Sequence, residues 1–211
     1  MDRSFEVYEG RAMSLSFQGR TRRRVDWMCA QAKGRVLDVG CSQGIVCCLL
    51  ATKGFTVTGC DKDIDALTFA RHKIDTLPSR IRERISLREG DFNAFTSQYL
   101  FDTIICGEYL EHLNDACLAT SLEHMRELLA PGGIVVITTP AGPHPHPDHQ
   151  QTFYPRNLAI ALERHFSIRY MDIEDLYFRC LCDDTEPTQH LSAQELLYLT
   201  EKGFAQAKAA H

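Results

Sequence analysis

Short apolar runs alternate with longer amphipathic segments over the first two thirds of the chain. Five of the runs have the length and composition of buried strands, and they lie at 36–39, 55–60, 85–89, 101–106 and 134–139. Helical patterns separate them, at 20–32, 45–52, 64–77 and about 113–129. This alternation predicts an α/β fold, in which right-handed crossovers build a parallel sheet covered by helices on both faces.

The pattern loosens after residue 140. A loop rich in proline and histidine occupies 141–148, and a helix is expected at 156–165. Two further strands are predicted at 166–171 and 177–182. A polar linker at 183–189 then leads into a last helix at 192–202, for which Gly203 is the expected end.

Composition narrows the class of protein. The 211 residues carry a formal charge of −5, with 44% hydrophobic and 24% charged positions, which excludes a chain disordered throughout and a strongly basic nucleic-acid module. No apolar run approaches the roughly 20 residues that span a bilayer. The nine cysteines form no CxxC pair, and the N-terminus shows no secretory pattern. We therefore expect free thiols and a cytoplasmic location.

Glycines and acidic residues follow the predicted strands, where open parallel sheets bind their ligands. The first turn, Asp38 to Gly44, lacks the G-x-G-x-x-G spacing because residues 42 and 45 are Ser and Ile. A ligand without a pyrophosphate is therefore favoured over a dinucleotide. Asp61 lies 21 residues after Gly40, a spacing at which a carboxylate bonds ribose hydroxyls. Asp91 follows the third strand and could accept a hydrogen bond from an adenine amino group.

Five segments together carry a family resemblance: VLDVGCSQG (36–44), VTGCDKD (57–63), EGDF (89–92), FDTIICGEYLEHL (101–113) and LLAPGGIVVITTP (128–140). In this order they resemble the class I S-adenosylmethionine-dependent methyltransferases, which implies a Rossmann-like, seven-stranded, mostly parallel sheet with an antiparallel last strand. It also implies that S-adenosyl-L-methionine binds at Asp38, Gly40, Cys41, Ser42, Gly44, Asp61, Lys62, Asp91, Phe92 and Gly107. The family usually has glycine where Ser42 stands, and we expect altered packing without loss of binding.

The resemblance also suggests an arrangement of domains. A methyltransferase domain is expected at 19–183. A lid segment at 1–18 would precede it, and a linker and helix at 184–211 would follow.

Glu108, Glu111 and His112 follow the fourth strand at a spacing that would share one helix face. Two carboxylates and an imidazole suit Mg²⁺, Mn²⁺, Fe²⁺ or Zn²⁺. The Glu-x-x-Glu-His pattern resembles ubiquinone-biosynthesis O-methyltransferases and, with a later Asp-His, small-RNA 2′-O-methyltransferases; this resemblance makes His149 the fourth metal ligand. The chain departs from the RNA enzymes after His149, where it reads QQTFY. His112 and His149 are also candidate catalytic bases without a metal.

The leading hypothesis is an O-methyltransferase acting on a hydroxylated small molecule such as a saccharide, phenol or metabolite, with a divalent metal at the acceptor hydroxyl. RNA ribose 2′-O-methylation by the same quartet is one alternative. Arginine clusters at 20–24 and 80–88 are the features that could bind phosphate. A second alternative is a non-catalytic cofactor-binding module that regulates a partner. The sequence leaves the oligomeric state open.

Overall fold

The structure is a computed structural model that describes residues 4–11, 13–185 and 190–209. Parts of the predicted lid (1–3 and 12) and of the predicted linker (186–189) lie outside the described residues, as do 210–211. The helices are α1 (Ser4–Tyr8), α2 (Leu15–Gln31), α3 (Ile45–Thr52), α4 (Ile64–Asp75), α5 (Ser79–Arg82), α6 (Asp115–Leu128), α7 (Pro155–Glu163) and α8 (Ala193–Ala209). The strands are β1 (Arg35–Val39), β2 (Thr56–Asp61), β3 (Ile85–Glu89), β4 (Phe101–Gly107), β5 (Leu129–Pro140), β6 (Ser167–Glu174) and β7 (Tyr177–Asp183).

The seven strands form one sheet in the order β3-β2-β1-β4-β5-β7-β6. The chain divides into two compact units, 1–105 and 106–211, and passes from one to the other within β4. β1 pairs with β2, and β2 with β3, in parallel, whereas β7 runs antiparallel to both β5 and β6. The predicted fold class is therefore confirmed, including the antiparallel last strand.

The first unit is built on the parallel register of its strands. Val39 of β1 pairs with Cys60 of β2, and Asp61 pairs with Glu89 of β3. The turns after the three strands consequently lie at one edge of the sheet. Helix α3 is almost entirely apolar because it is buried along most of its length, as expected for a helix packed against such a sheet.

The second unit packs its helices against antiparallel strands. Its fully buried side chains include Leu122 and Met125 of α6, Ile137 of β5 and Phe178 of β7. Between β4 and α6, the chain forms a 3₁₀ turn at Leu110–His112, and α6 begins only after Asn114, whose side chain caps it. The helix predicted from about residue 113 thus starts slightly later.

Two helices are longer than predicted by several residues. α2 begins at Leu15 instead of residue 20 because Ser14 caps it by accepting a hydrogen bond from the Phe17 N–H. The expected boundary of the lid at residue 18 therefore falls inside this helix. α8 continues through Gly203 instead of ending there. A Cβ at Gly203 would lie 3.2 Å from Cδ1 of Ile173, so this glycine permits close packing on β6 and does not stop the helix.

No helix in the described ranges combines the length and apolar content that crossing a membrane requires. The nine cysteines are free thiols, and all but Cys117 are buried.

Gly34 offers a test of the packing in the first unit. Its φ is +57°, and an added Cβ would overlap the Asp102 carboxylate, which accepts a hydrogen bond from the Arg35 N–H at 2.7 Å. We expect Gly34→Ala to lower the free energy of unfolding by about 2–5 kcal/mol, from left-handed strain plus overpacking. Urea denaturation measures the loss. Gly54→Ala is the matched control, because its φ is also positive but its Cβ meets no atom within 4 Å. Equal losses in the two variants would contradict the overlap.

Candidate functional site

The turn after β1 is wound through left-handed backbone. Gly40, Ser42 and Gly44 have φ of 68°, 45° and 75°. The Gly40 N–H donates to the Cys60 carbonyl at 2.9 Å, which fixes the turn against β2. A Cβ at Gly44 would approach that of Ala70 to 3.1 Å, so this glycine keeps the turn close to α4. Ser42 adopts the left-handed conformation that glycine usually supplies at this position, so the turn forms despite the serine.

Asp61, the last residue of β2, organises this edge of the sheet. Its Oδ2 accepts the Ser42 N–H at 2.7 Å and its Oδ1 accepts the Asp63 N–H at 2.8 Å. The first bond holds Ser42 in its left-handed conformation and offsets part of the strain there. Each carboxylate oxygen keeps a second lone pair. The side chain is also partly exposed, so it retains the capacity to accept ribose hydroxyls.

Asp38 differs from Asp61 in its surroundings. It lies in β1 with 4% of its surface exposed, and its Oδ2 accepts a hydrogen bond from the Cys47 thiol at 3.3 Å. Burial raises the pKa of Asp38 to about 7, although the thiol bond opposes the rise. Cys41 is buried as well, and the pKa of its thiol is raised by burial and by the nearby carboxylates, as expected of an unreactive cysteine.

The turn after β3 presents the remaining acidic position. Asp91 is exposed, and its Oδ1 accepts the Asn93 N–H at 2.8 Å, which starts a 3₁₀ turn at Phe92–Ala94. Phe92 is buried and stacks on Phe95 with ring centroids 6.4 Å apart. The first unit therefore contains all the predicted cofactor residues except Gly107, the last residue of β4, which lies in the second unit. Lys62 is exposed beside Asp61.

In the second unit, Glu111, His112 and His149 form a compact group. One potential ligand atom from each residue lies within 4.8 Å of those of the other two. Among the described residues, no other set of histidine, cysteine or acidic side chains comes together in this way. Glu111 is only 2% exposed, and its Oε2 accepts a hydrogen bond from the Thr139 hydroxyl at 2.9 Å. The main-chain carbonyl of Glu111 accepts hydrogen bonds from the N–H groups of Gln150 and Gln151. These bonds tie the loop at 142–149, called the histidine loop below, to the 3₁₀ turn at Leu110–His112.

Main-chain carbonyls set the tautomers of both histidines. Nδ1 of His112 lies 3.2 Å from the Asp148 carbonyl, and Nδ1 of His149 lies 3.1 Å from the His144 carbonyl. A carbonyl only accepts, so each Nδ1 must carry the proton and each Nε2 must present a lone pair. Histidines that ligate metals in proteins are oriented by the same kind of bond. The donor set therefore fits a divalent ion.

The electrostatics of His149 agree with this arrangement. Partial burial lowers the pKa of His149, and its neighbours His112, His144 and His146 lower it further because the protonated rings would repel one another. The imidazole is therefore neutral near pH 7, as a ligand or a general base must be.

Glu108 does not join this group. It is the residue directly after β4, its N–H donates to the Thr138 carbonyl at 2.8 Å, and its φ is +53°. Because the backbone turns there, the expectation that residues 108–112 begin a helix is wrong, and the shared helix face does not form. The group instead contains one carboxylate and two imidazoles.

Several contributors to the site were missed by the sequence reasoning. Thr139 is the penultimate residue of β5, and nothing in the sequence distinguishes it from the rest of that strand. Gln150 also donates from Nε2 to the His112 carbonyl at 3.0 Å, and its position directly after His149 was the one available hint. His146 lies beside His112 and His149, with ring centroids 6.0 Å and 4.9 Å away. The prediction had selected only His149 from the loop.

Two side chains of the first arginine cluster, at 20–24, are buried or bonded within the fold. Arg24 is 7% exposed, and Arg22 donates from Nε to the Tyr8 carbonyl at 2.5 Å. The Arg22 bond ties α2 to α1, and the burial of Arg24 interrupts the cluster, so the cluster does not present a continuous basic face.

The raised pKa of Asp38 has a consequence for stability. Between its ordinary value of 3.8 and about 7, the folded protein binds more protons than the unfolded chain does. The free energy of unfolding therefore falls as the pH rises through this window, and the loss is complete above the folded pKa. We expect Asp38→Asn to remove this part of the pH dependence in urea denaturation between about pH 4 and pH 7.5. Asp65→Asn, at an exposed carboxylate of α4, should leave it in place; an unchanged slope in Asp38→Asn would contradict the burial argument.

Curated proteins similar to this chain include ubiquinone biosynthesis O-methyltransferases. The chain is 32% identical over 120 residues to the ubiquinone biosynthesis O-methyltransferase of Aeromonas salmonicida (strain A449), a match covering 55% of this chain and 49% of that protein. It is 39% identical over 106 residues to the same enzyme of Paracidovorax citrulli (strain AAC00-1), covering 50% and 43%. The chain thus spans about half the length of the curated relatives it matches.

Solved structures share the fold at lower identity. The glycopeptide N-methyltransferase MtfA, solved in complex with S-adenosyl-L-methionine, superimposes with a TM-score of 0.65 at 16% identity, covering 77% of this chain and 93% of that one. The model of a methyltransferase domain matches residues 15–180, which include both the turns after β1 to β3 and the Glu111 group. This chain belongs to the methyltransferase domain family.

Proposed function

We propose that this chain is an S-adenosylmethionine-dependent O-methyltransferase whose acceptor is a hydroxylated small molecule. The observation that carries the proposal is the pair of sites described above. The first unit has a glycine turn held by Asp61, and the second has a buried carboxylate with two imidazoles of fixed tautomer. The name of the curated relatives, O-methyltransferase, supports oxygen as the methyl acceptor.

The proposal assigns the cofactor to the turns after β1, β2 and β3. Asp61 would accept the ribose hydroxyls, and the left-handed turn from Gly40 to Gly44 would let the main chain approach the ligand without a side-chain clash. Asp91 would accept from the adenine amino group. S-adenosylmethionine supplies an electrophilic methyl group on a sulfonium, and its positive charges suit an edge lined with carboxylates.

The acceptor hydroxyl is assigned to Glu111, His112 and His149. A divalent ion held by these residues would lower the pKa of an alcohol or phenol and orient its oxygen. The chain's own contribution is positional, because the Thr139 hydroxyl fixes the carboxylate and two carbonyls fix the imidazoles. In the absence of an ion, Nε2 of His112 or His149 can accept the proton of the hydroxyl. Holding both reactants in place accounts for roughly 7–11 kcal/mol in well-oriented systems.

A first experiment tests both parts together. The protein is purified without chelator, titrated calorimetrically with S-adenosylhomocysteine, and assayed for bound metal. Cofactor binding with near-stoichiometric metal would support the whole proposal. Cofactor binding without metal, even after divalent ions are added, would support His112 or His149 as the base. No cofactor binding would contradict the enzymatic assignment.

Asp61→Ala should weaken S-adenosylhomocysteine binding by about 10- to 100-fold, because the bonds of a charged acceptor contribute roughly 1.5–3 kcal/mol. Calorimetry measures the affinity, and thermal unfolding verifies that the variant is folded. Asp65→Ala is the matched control, since Asp65 is an exposed carboxylate in the first turn of α4. A folded Asp61→Ala variant with unchanged affinity would exclude the ribose role.

Glu111→Gln should reduce the affinity for a divalent ion by at least about tenfold, because the single carboxylate of the group is lost. The affinity for S-adenosylhomocysteine should stay within about twofold of wild type, since Glu111 is not assigned to the cofactor. Glu108→Gln is the control and should bind metal as wild type does. If Glu108→Gln loses metal and Glu111→Gln keeps it, the assignment of ligands is reversed.

A further inference from the structure

The loop at 142–149 brings two more histidines to the edge of the Glu111 group. His144 and His146 alternate with Pro143, Pro145 and Pro147, which restrict the backbone of the loop. The side chain of His146 is 46% exposed, so solvent and ions can reach it. Neither of these two imidazoles belongs to the Glu111 group.

The spacing of three imidazoles matches that expected around one tetrahedral ion. Ring centroids are separated by 4.9 Å between His112 and His149, 4.9 Å between His146 and His149, and 6.0 Å between His112 and His146. Three imidazoles bound to a zinc-like ion through Nε2, with metal–nitrogen distances near 2.1 Å and tetrahedral angles, place their centroids about 5 Å apart. His146 lies outside the group whose ligand atoms are within 4.8 Å of one another, so its ring must reorient to reach this arrangement.

The hydrogen bonds of His146 differ from those of His112 and His149. Its Nδ1 accepts a hydrogen bond from the Asp148 N–H at 3.3 Å, and Asp148 Oδ2 lies 3.8 Å away. Ligation through Nε2 therefore requires the ring proton to move to Nδ1, where that carboxylate would accept it. His144 is placed differently, because its ring stacks on His149 at 5.4 Å and lies 6.2 Å from Tyr177.

We propose that His146 is a fourth protein ligand, so that Glu111, His112, His146 and His149 form a site with one carboxylate and three imidazoles for a transition metal ion. This inference rests on the proposed function, which places an ion at Glu111, His112 and His149; with His146 added, the acceptor hydroxyl would bind as a fifth ligand. Imidazole-rich sets bind Zn²⁺, Co²⁺, Ni²⁺ or Fe²⁺, whereas Mg²⁺ prefers oxygen ligands in octahedral geometry. We therefore expect Zn²⁺ or Co²⁺ to saturate the site at concentrations at which Mg²⁺ does not bind.

The test uses Co²⁺ as a spectroscopic probe of the full chain after its metal has been removed with a chelator. Wild type should develop the visible absorption of tetrahedral Co²⁺, and Zn²⁺ but not millimolar Mg²⁺ should displace it. His146→Ala should weaken Co²⁺ binding by about 10- to 100-fold and shift the spectrum, because one nitrogen ligand is lost. His144→Ala is the matched control in the same loop and should bind within about threefold of wild type, since alanine keeps the main-chain carbonyl that contacts His149 Nδ1.

Each other outcome has a distinct meaning. Unchanged affinity and spectrum in His146→Ala, with Co²⁺ bound by wild type, would overturn the role of His146 and leave the three-residue site intact. Displacement of Co²⁺ by Mg²⁺ at equal concentration would overturn the assignment of the site to a transition metal ion. Failure of wild type to bind Co²⁺ and Zn²⁺ would refute this inference and the metal part of the proposed function together. Calorimetry with S-adenosylhomocysteine on the same sample would show whether the cofactor part still holds.

Discussion

Parallel pairing in fixed register brings the ends of β1, β2 and β3 to one edge of the first unit, and the candidate cofactor contacts depend on it. The pairing of Val39 with Cys60 and of Asp61 with Glu89 leaves the three following turns side by side. Each turn then needs partners for its exposed main-chain groups. The carboxylate of Asp61 supplies two of them, and the carbonyl of Cys60 accepts the N–H of Gly40.

The carboxylates show how position decides the chemistry of one functional group. Asp38 is enclosed by apolar strand residues, so its pKa rises to about 7. Asp61 is half-buried, and its oxygens accept hydrogen bonds from two main-chain N–H groups. Glu111 is as buried as Asp38, but it lies beside the Thr139 hydroxyl and two imidazoles. Burial alone therefore does not assign a role; the donors around the carboxylate do.

In the second unit, main-chain hydrogen bonds orient His112 and His149 and fix their tautomers. The carbonyls of His144 and Asp148 each fix one imidazole tautomer, and the main-chain N–H groups of Gln150 and Gln151 hold the loop on the carbonyl of Glu111. These bonds need no particular side chain at positions 144 and 148. They require only that the loop return to the 3₁₀ turn at Leu110–His112, which its prolines and the adjacent strand end assist.

The sequence by itself determined the seven strands and the positions of the glycine turn, Asp61 and Asp91, because strand patterns and turn chemistry are local properties of the chain. The mixed direction of the sheet was implied by the family resemblance and not by these local patterns. The sequence also supplied Glu111, His112 and His149. Only the tertiary structure decided that Glu108 leaves this group, that α8 runs through Gly203, and that His146 approaches it. Each of these depends on contacts between residues distant in sequence, such as the packing of Gly203 on Ile173 and the fold of the histidine loop, which local periodicity does not contain.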